Sequence, residues 1–405
     1  MIQLTTYADA REAFRSRDLR QALYDEGEHL MEGVIVNLHG DDHLARRRLE
    51  NRLFRRDTFA WYERDRIPRI VADVLRPALA AGRGELLSLA RRTMMTLSVE
   101  VAGVDLSPDI DEAKFAELMH LLARASTVAH ATGDKVGIVQ RGDEALATFQ
   151  RDYFDHSCAR RADLVERAQR GEIADDDLPR DVLTTLLRNQ DRLDLPMATV
   201  LRETAYFPWV GSHSTSAQLV HAMHHIFEWV QARPLDRALL EDDELLRQRF
   251  VHESMRLHPA SPMALRIATC TTSLRSGRTL LEGETVVIDV EHANRDPEWF
   301  GSDADVFDPY RTVADGVPPW GLSFGHGVHA CLGQELAGGV EPSVGDAGSV
   351  EQHLVGSVVL MAGAMLRAGA RPDPTDPAVL DATTTRVMWG HYPVVFGPVV
   401  VDQQR

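Results

Sequence analysis

A single, mainly α-helical domain with small β-sheets is what the sequence predicts, and three observations predict it. From residue 1 to about residue 270, apolar side chains recur at three- and four-residue spacing, as in LLSLARRTMMTLSVEVAGV and KFAELMHLLARAS, which is the periodicity of helices buried on one face. Between Leu265 and Asp289 the pattern gives way to short segments rich in Thr, Val and Ile, LRIATCTTSL and GETVVIDV, separated by SGR and EG turn signals. No Gly/Ser-rich or Pro-rich linker interrupts the chain, so residues 1–405 read as one domain.

The connecting segments follow the same logic. Polar breaks such as GEIADDDLPRD (171–181) and ARPLD (232–236) separate helices without the length of a domain linker. The stretch DPEWFGSDADVFDPYRTVADGVPPWG reads as a long irregular coil, a feature that is usually functional inside a compact protein. A second β-like stretch, TTTRVMWGHYPVVFGPVVV, follows near the C-terminus.

Composition narrows the class. The chain is 44% hydrophobic and 26% charged, enough apolar material for a large core. Its formal charge of −17 argues against a nucleic-acid binder, which needs excess Lys and Arg on its binding face. The stretch ARRRLENRLFRR nonetheless gathers Arg46, Arg47, Arg48, Arg52, Arg55 and Arg56, a run that would ordinarily be a solvated helix face. Cys158, Cys270 and Cys331 lie far apart, which argues against a disulfide framework and for a reducing compartment. The N-terminus lacks a basic segment followed by an apolar run, and the longest apolar stretch, near Val358 to Leu366, is too short to span a bilayer. The expectation is a cytoplasmic protein without membrane or nucleic-acid partners.

The chemistry concentrates in the loop from Phe324 to Ala337, FGHGVHACLGQELA, where glycines punctuate the approach to one cysteine just before a helical run. Glycines let a backbone approach a flat ligand closely, and main-chain N–H groups near a helix start can hold a thiolate deprotonated. A thiolate of this kind on a haem iron favours O–O cleavage. An arbitrary lone Cys is a small buried hydrophobe, but this surrounding loop favours a ligand. Zinc on His329 and Cys331 is the other metal reading, and no second pair at finger-like spacing supports it. His221, His224 and His225 share one helical face and read as solvated or core histidines.

On this loop the sequence resembles the cytochrome P450 family, whose cysteine loop reads Phe-Gly-x-Gly-x-His-x-Cys-x-Gly-x-x-Leu-Ala; every fixed position is met, including Phe324, His329, Cys331 and Gly333. Further motifs extend the resemblance over nearly the whole chain. Glu253 and Arg256 stand three apart on one helix face and look like the family's Glu-x-x-Arg helix, with Arg311 in FDPYR as the second arginine of that structural triad. The resemblance implies the P450 fold, haem b as cofactor with Cys331 as iron ligand, and His43, Arg47, Arg266 and His329 as propionate contacts. It also places the arginine-dense helix where ferredoxins dock, so Arg46, Arg48, Arg52 and Arg55 are expected to receive a ferredoxin served by its reductase, with Arg47 turned inward.

Three departures from the family bear on the reaction. The oxygen-binding helix normally carries Ala-Gly-x-Asp/Glu-Thr, whereas this chain reads Val210-Gly211-Ser212-His213-Ser214-Thr215. Keeping Leu219 in register puts His213 at the acid and Ser214 at the alcohol, while a one-residue shift puts Thr215 there. TTYADAREAFRSRDLR resembles the family's second helix, so the first helix and first strands are expected to be missing. After Leu336 and Ala337, GGVEPSVGDAGS replaces the continuation of a helix and implies an insertion over 338–349.

The resulting expectation is an oxygen-using monooxygenase of secondary metabolism. A small hydrophobic or aromatic substrate is expected among Trp209, Val210, Met263 and Met388. The alternatives are a peroxide-using or oxidative-coupling haem enzyme with non-standard proton delivery, or a non-catalytic module of the same fold that binds a carrier protein.

Overall fold

A computed structural model describes residues 1–106, 111–340 and 353–397. In chain order, the elements that position the site are β1 (Ile2–Leu4), α1 (Tyr7–Arg15), β2 (Leu19–Gln21), α2 (Gly40–Glu50), α3 (Leu86–Ala102), α4 (Glu112–Ser126), α5 (Met197–Ala232), α6 (Glu244–Leu257), β3 (Met263–Ala268), β4 (Thr285–Asp289), α7 (Gln334–Gly338), α8 (Ser357–Arg367), β5 (Trp389–His391) and β6 (Pro393–Val395). The chain divides into two compact units: residues 1–20, 56–93 and 214–405 form the first, residues 21–55 and 94–213 the second.

In the first unit the Thr/Val/Ile-rich segments form a four-stranded sheet of order β1-β4-β3-β2. β1 runs parallel to β4, with Leu4 opposite Ile288, and β3 runs antiparallel to it, with Arg266 opposite Val286. The strand alternation sends Ala264, Arg266 and Ala268 to the buried face of β3 and leaves Met263, Leu265 and Ile267 half-buried on the other. Helix α1 starts where Thr6 accepts a hydrogen bond from the Asp9 N–H, and its buried Tyr7, Ala10, Ala13 and Phe14 join Leu4, Val286 and Ile288 in one core. From Asp296 to Gly321 the described structure is turn and coil broken only by a four-residue helix, Pro297–Phe300, in line with the coil read from the sequence.

The second unit is helical. Asp111 caps α4 by accepting from the N–H groups of Ala113 and Lys114, and Phe115 of that helix packs edge-on to Tyr153 at 4.9 Å. Helix α5 runs through 36 residues despite Pro208, whose missing N–H frees the Thr204 carbonyl. At Gly211 a β-carbon would stand 2.5 Å from the Ser98 hydroxyl, so only glycine lets α3 come this close to α5.

Candidate haem site

The cysteine loop is fixed through its main chain. The Cys331 N–H donates to the Phe324 carbonyl at 2.9 Å, and the Gly325 N–H donates to Leu322 at 2.8 Å. Gly325 and Gly327 both take left-handed φ, 67° and 71°. A β-carbon on Gly327 would lie 2.9 Å from the Phe14 carbonyl, which explains why the loop needs glycine there. Cys331 itself is exposed, three residues before α7, with Gly333 preceding that helix.

Behind the loop, buried polar side chains tie α6 to the coil. Arg256, fully buried, donates twice to the Glu253 carboxylate, both bonds at 2.7 Å, and to the carbonyls of Asn294 and Ala304. Arg311 reaches the same carboxylate at 3.0 Å and clamps the carbonyls of Phe300, Asp303 and Val306. The three residues expected to act together are thus brought together. Four others were missed by sequence reasoning. Asn294 donates to the Arg256 carbonyl and accepts from the Leu322 N–H just before the loop. Gln248 and His252 of α6 both bond the Gly338 carbonyl where α7 ends. Glu63 accepts from the N–H groups of Val355 and Gly356 at the start of α8. Each bond goes to main chain, which leaves no partner motif in the sequence.

Helix α7 stops at Gly338, with Gly339 at φ 73°, as the glycine pair suggests; Val340 then bridges to Leu354. Most of the expected insertion, from residue 341 on, lies outside the described residues.

The expected propionate contacts fall in both units. In the first, Arg266 is 3% exposed and lies over the Phe14 ring, and His329 is half-buried. In the second, His43 is buried on α2, and burial, reinforced by Arg47 and His39, lowers its pKa to about 4. Arg47 is half-buried. One expectation needs correction: Arg46 is not available for docking. It shares the inward face of α2 with His43 and Glu50, is 3% exposed, and pairs with Glu203 of α5 at 2.9 Å. Arg48, Arg52 and Arg55 are exposed, and Arg56 forms a bidentate pair with Glu335.

On α5, the His213 Nδ1 lies 3.0 Å from the Trp209 carbonyl and 3.2 Å from the Ser212 hydroxyl, which itself donates to Pro208. A carbonyl can only accept, so Nδ1 carries the proton and the lone pair of the neutral ring lies on Nε2. The His213 ring stacks on His120 of α4 at 5.8 Å, a partner that no local sequence pattern announces. Ser214 is half-buried and Thr215 buried. Among the pocket candidates, Trp209 is 5% exposed and packs edge-on to Tyr206, which removes most of it from a substrate's reach. Val210, Met263 and Met388 are half-buried.

The residues present fit a haem. A thiol stands exposed on a loop held by its own backbone, a β-carbon at the neighbouring Gly333 would touch nothing within 4 Å, and the buried Arg266 supplies the charge that an anionic edge requires. Among the described residues no group of three or more His, Cys, Asp or Glu side chains is placed to hold a metal ion, which leaves the zinc reading without a ligand set. No described helix is long and apolar enough to cross a membrane.

Comparison with known proteins adds to this geometry. The sequence profile of the family described as Cytochrome P450 matches residues 9–338. A cyclooctat-9-en-7-ol 5-monooxygenase of Streptomyces melanosporofaciens is 29% identical over 78% of this chain and 71% of its own length. A vitamin D(3) 25-hydroxylase of Pseudonocardia autotrophica is 32% identical over 44% of this chain and 40% of its own. Among solved structures, CalO2 superposes with a TM-score of 0.72 at 21% identity, covering 98% of this chain and 90% of its own. P450BioI, solved with an acyl carrier protein ligated to a hexadecenoic acid, does so at 0.72 and 18%, over 97% and 91%.

Proposed function

The chain belongs to the cytochrome P450 family of haem b monooxygenases, and on that premise we propose that Cys331 is its iron ligand, with Arg266, His329, His43 and Arg47 as the propionate contacts. The observation that carries this reading is the exposed Cys331 at the end of a glycine-strained loop whose base is braced by Asn294 and the Glu253, Arg256 and Arg311 triad. When bound, the haem supplies oxygen activation, and the thiolate ligand favours O–O cleavage. The protein's own contribution is to hold Cys331 in place, to neutralise the propionates, and to exchange a proton at His213 Nε2, with Ser214 or Thr215 as the neighbouring hydroxyl.

The substrate class supported best is a small hydrophobic or aromatic molecule, since Val210, Met263 and Met388 offer largely apolar surface. Its place would be the secondary metabolism of a cytoplasmic enzyme. Arg48, Arg52 and Arg55 give an otherwise acidic protein an exposed basic face for a ferredoxin, and such docking weakens with salt. The histidine pair in place of the family's acid favours a second reading, peroxide use or oxidative coupling. Product formation with peroxide, set against ferredoxin, reductase and NAD(P)H, separates the two.

The assignment of Cys331 is tested by the absorption spectrum of the reduced protein under carbon monoxide. A strongly red-shifted band in the native protein that is lost in Cys331→Ala is expected. A band of the histidine-ligated kind in the native protein overturns it.

A further inference from the structure

Three ionisable side chains, distant from the cysteine loop in sequence, meet inside the second unit. Arg46 Nη1 lies 2.9 Å from Glu203 Oε2 and 3.9 Å from Glu50 Oε1, and the side chains are 4%, 0% and 0% exposed, respectively. Glu203 Oε2 also accepts the Ile35 N–H at 2.9 Å. Among the described residues, neither oxygen of Glu50, nor Glu203 Oε1, nor Arg46 Nε has a hydrogen-bond partner.

Charge counting then decides the protonation. Two carboxylates against one guanidinium leave a net negative charge in a water-excluded place, and an uncompensated buried charge is strongly disfavoured. One proton on the carboxylate pair brings the cluster to neutrality. Glu203 is the better carboxylate, because it holds both the closer contact to Arg46 and the Ile35 N–H, so the proton resides chiefly on Glu50. Burial raises the affinity of both acids for protons; Glu203 opposes ionisation of Glu50, while Arg46 and the neighbouring Arg47 act the other way.

The cluster also joins two elements that matter. Arg46 and Glu50 belong to α2, which carries His43 and Arg47, and Glu203 belongs to α5, ten residues before His213. We propose that Glu50 and Glu203 share a single proton and, with Arg46, form the joint that fixes α2 on α5, making the three residues positioning residues for the haem-edge side chains His43 and Arg47. The second half of this proposal rests on the propionate assignment made above.

The test uses the holoenzyme with Glu50→Gln, Glu203→Gln, the double variant, Glu203→Ala and Arg47→Ala. An acid whose proton affinity rises on folding contributes stability below the ordinary carboxylate range, and that contribution is lost as pH climbs through the raised value. The parent's urea midpoint should therefore carry a downward component as pH climbs from about 4.5 past neutrality. Either single amide variant should lose that component while keeping the fold, because each leaves Arg46 with one carboxylate and no surplus charge. The double variant strands Arg46 and should be far less stable than the two singles combined predict. A single variant with the parent's pH profile, or an additive double variant, overturns the shared proton.

For positioning, Glu203→Ala should release haem to a scavenging apoprotein at least about tenfold faster than the parent, a change of the order that outer-layer partners of a bound group produce, and Glu203→Gln should restore most of the retention. Faster release from Arg47→Ala with parental release from Glu203→Ala overturns the joint as a positioning device. Parental release from Arg47→Ala removes the propionate reading instead, and the pH profile still decides the shared proton.

Discussion

Four histidines of the first unit form a stack that should make this protein labile to acid. The rings of His221 and His258 lie parallel at 4.5 Å, His225 stands 5.0 Å from His258 and 4.2 Å from Phe307, and His224 bonds the Tyr392 hydroxyl. Burial is the main reason the pKa of His221 falls to about 4 and that of His225 to about 3; neighbouring imidazoles add to it, and the bond to the Val387 carbonyl opposes it at His221. The Glu228 carboxylate lies 3.5 Å from His224 and 4.0 Å from His225, and Arg295 disfavours charge on His258. A histidine held neutral in the folded state contributes fully above its unfolded value near 6.5, and the contribution drains away as pH falls below that value toward the folded one. At pH 5 the unfolded chain gains about 2 kcal/mol per histidine by protonating, roughly 1.4 kcal/mol for each of 1.5 pH units, while the folded one gains almost nothing. His221 and His225 alone therefore cost about 4 kcal/mol, a large share of the roughly 5–15 kcal/mol that holds a typical domain. His225→Phe is the cleanest perturbation, since among the described residues His225 Nε2 has no hydrogen bond to lose and a phenyl ring can keep the stack on Phe307. Whatever the variant costs at pH 8, urea unfolding followed by circular dichroism should show the difference from the parent shifting by about 2 kcal/mol in the variant's favour at pH 5. Parallel pH profiles for the two proteins would refute the reasoning.

Two further outcomes follow from the site. Arg256→Met leaves the Glu253 carboxylate buried with Arg311 and the Asp308 N–H, and loss of one partner of a buried pair should cost about 3–5 kcal/mol, read as a lowered urea midpoint and reduced haem content. His213→Ala removes the imidazole two residues from Gly211; the ratio of product formed to electrons consumed should fall if His213 exchanges the proton, and unchanged coupling would reduce it to pocket lining.

What the sequence made legible depended on how local each cause was. The cysteine loop could be read because its constraint is backbone geometry, written into glycine spacing: Gly325 and Gly327 sit at positive φ within seven residues of Cys331. Glu253 and Arg256 were legible for a similar reason, their pairing being set by one turn of helix. Arg311 came only through family resemblance, since 58 residues separate it from Glu253. Asn294, Gln248 and Glu63 stayed hidden because they hold carbonyls and N–H groups, which every residue has.

The arginine run shows the sharper limit. Arg46, Arg47 and Arg48 are chemically identical neighbours, and successive side chains on a helix differ by about 100° in direction, so which one turns inward depends on what waits across the interface. Resemblance to the family drew attention to Arg47, and nothing in the local run revealed that Glu203, 157 residues away, would claim Arg46. The same reasoning applies to His213. Its residue type is visible as a departure from the family's acid, yet its chemistry depends on the Trp209 carbonyl, which settles where its proton sits, and on His120, which reaches it from another helix. A histidine so held presents one defined nitrogen for exchange. A carboxylate at that place would present two equivalent oxygens. On the proposal that His213 exchanges the proton, the substitution changes the direction from which it is delivered, and coupling in His213 variants should respond.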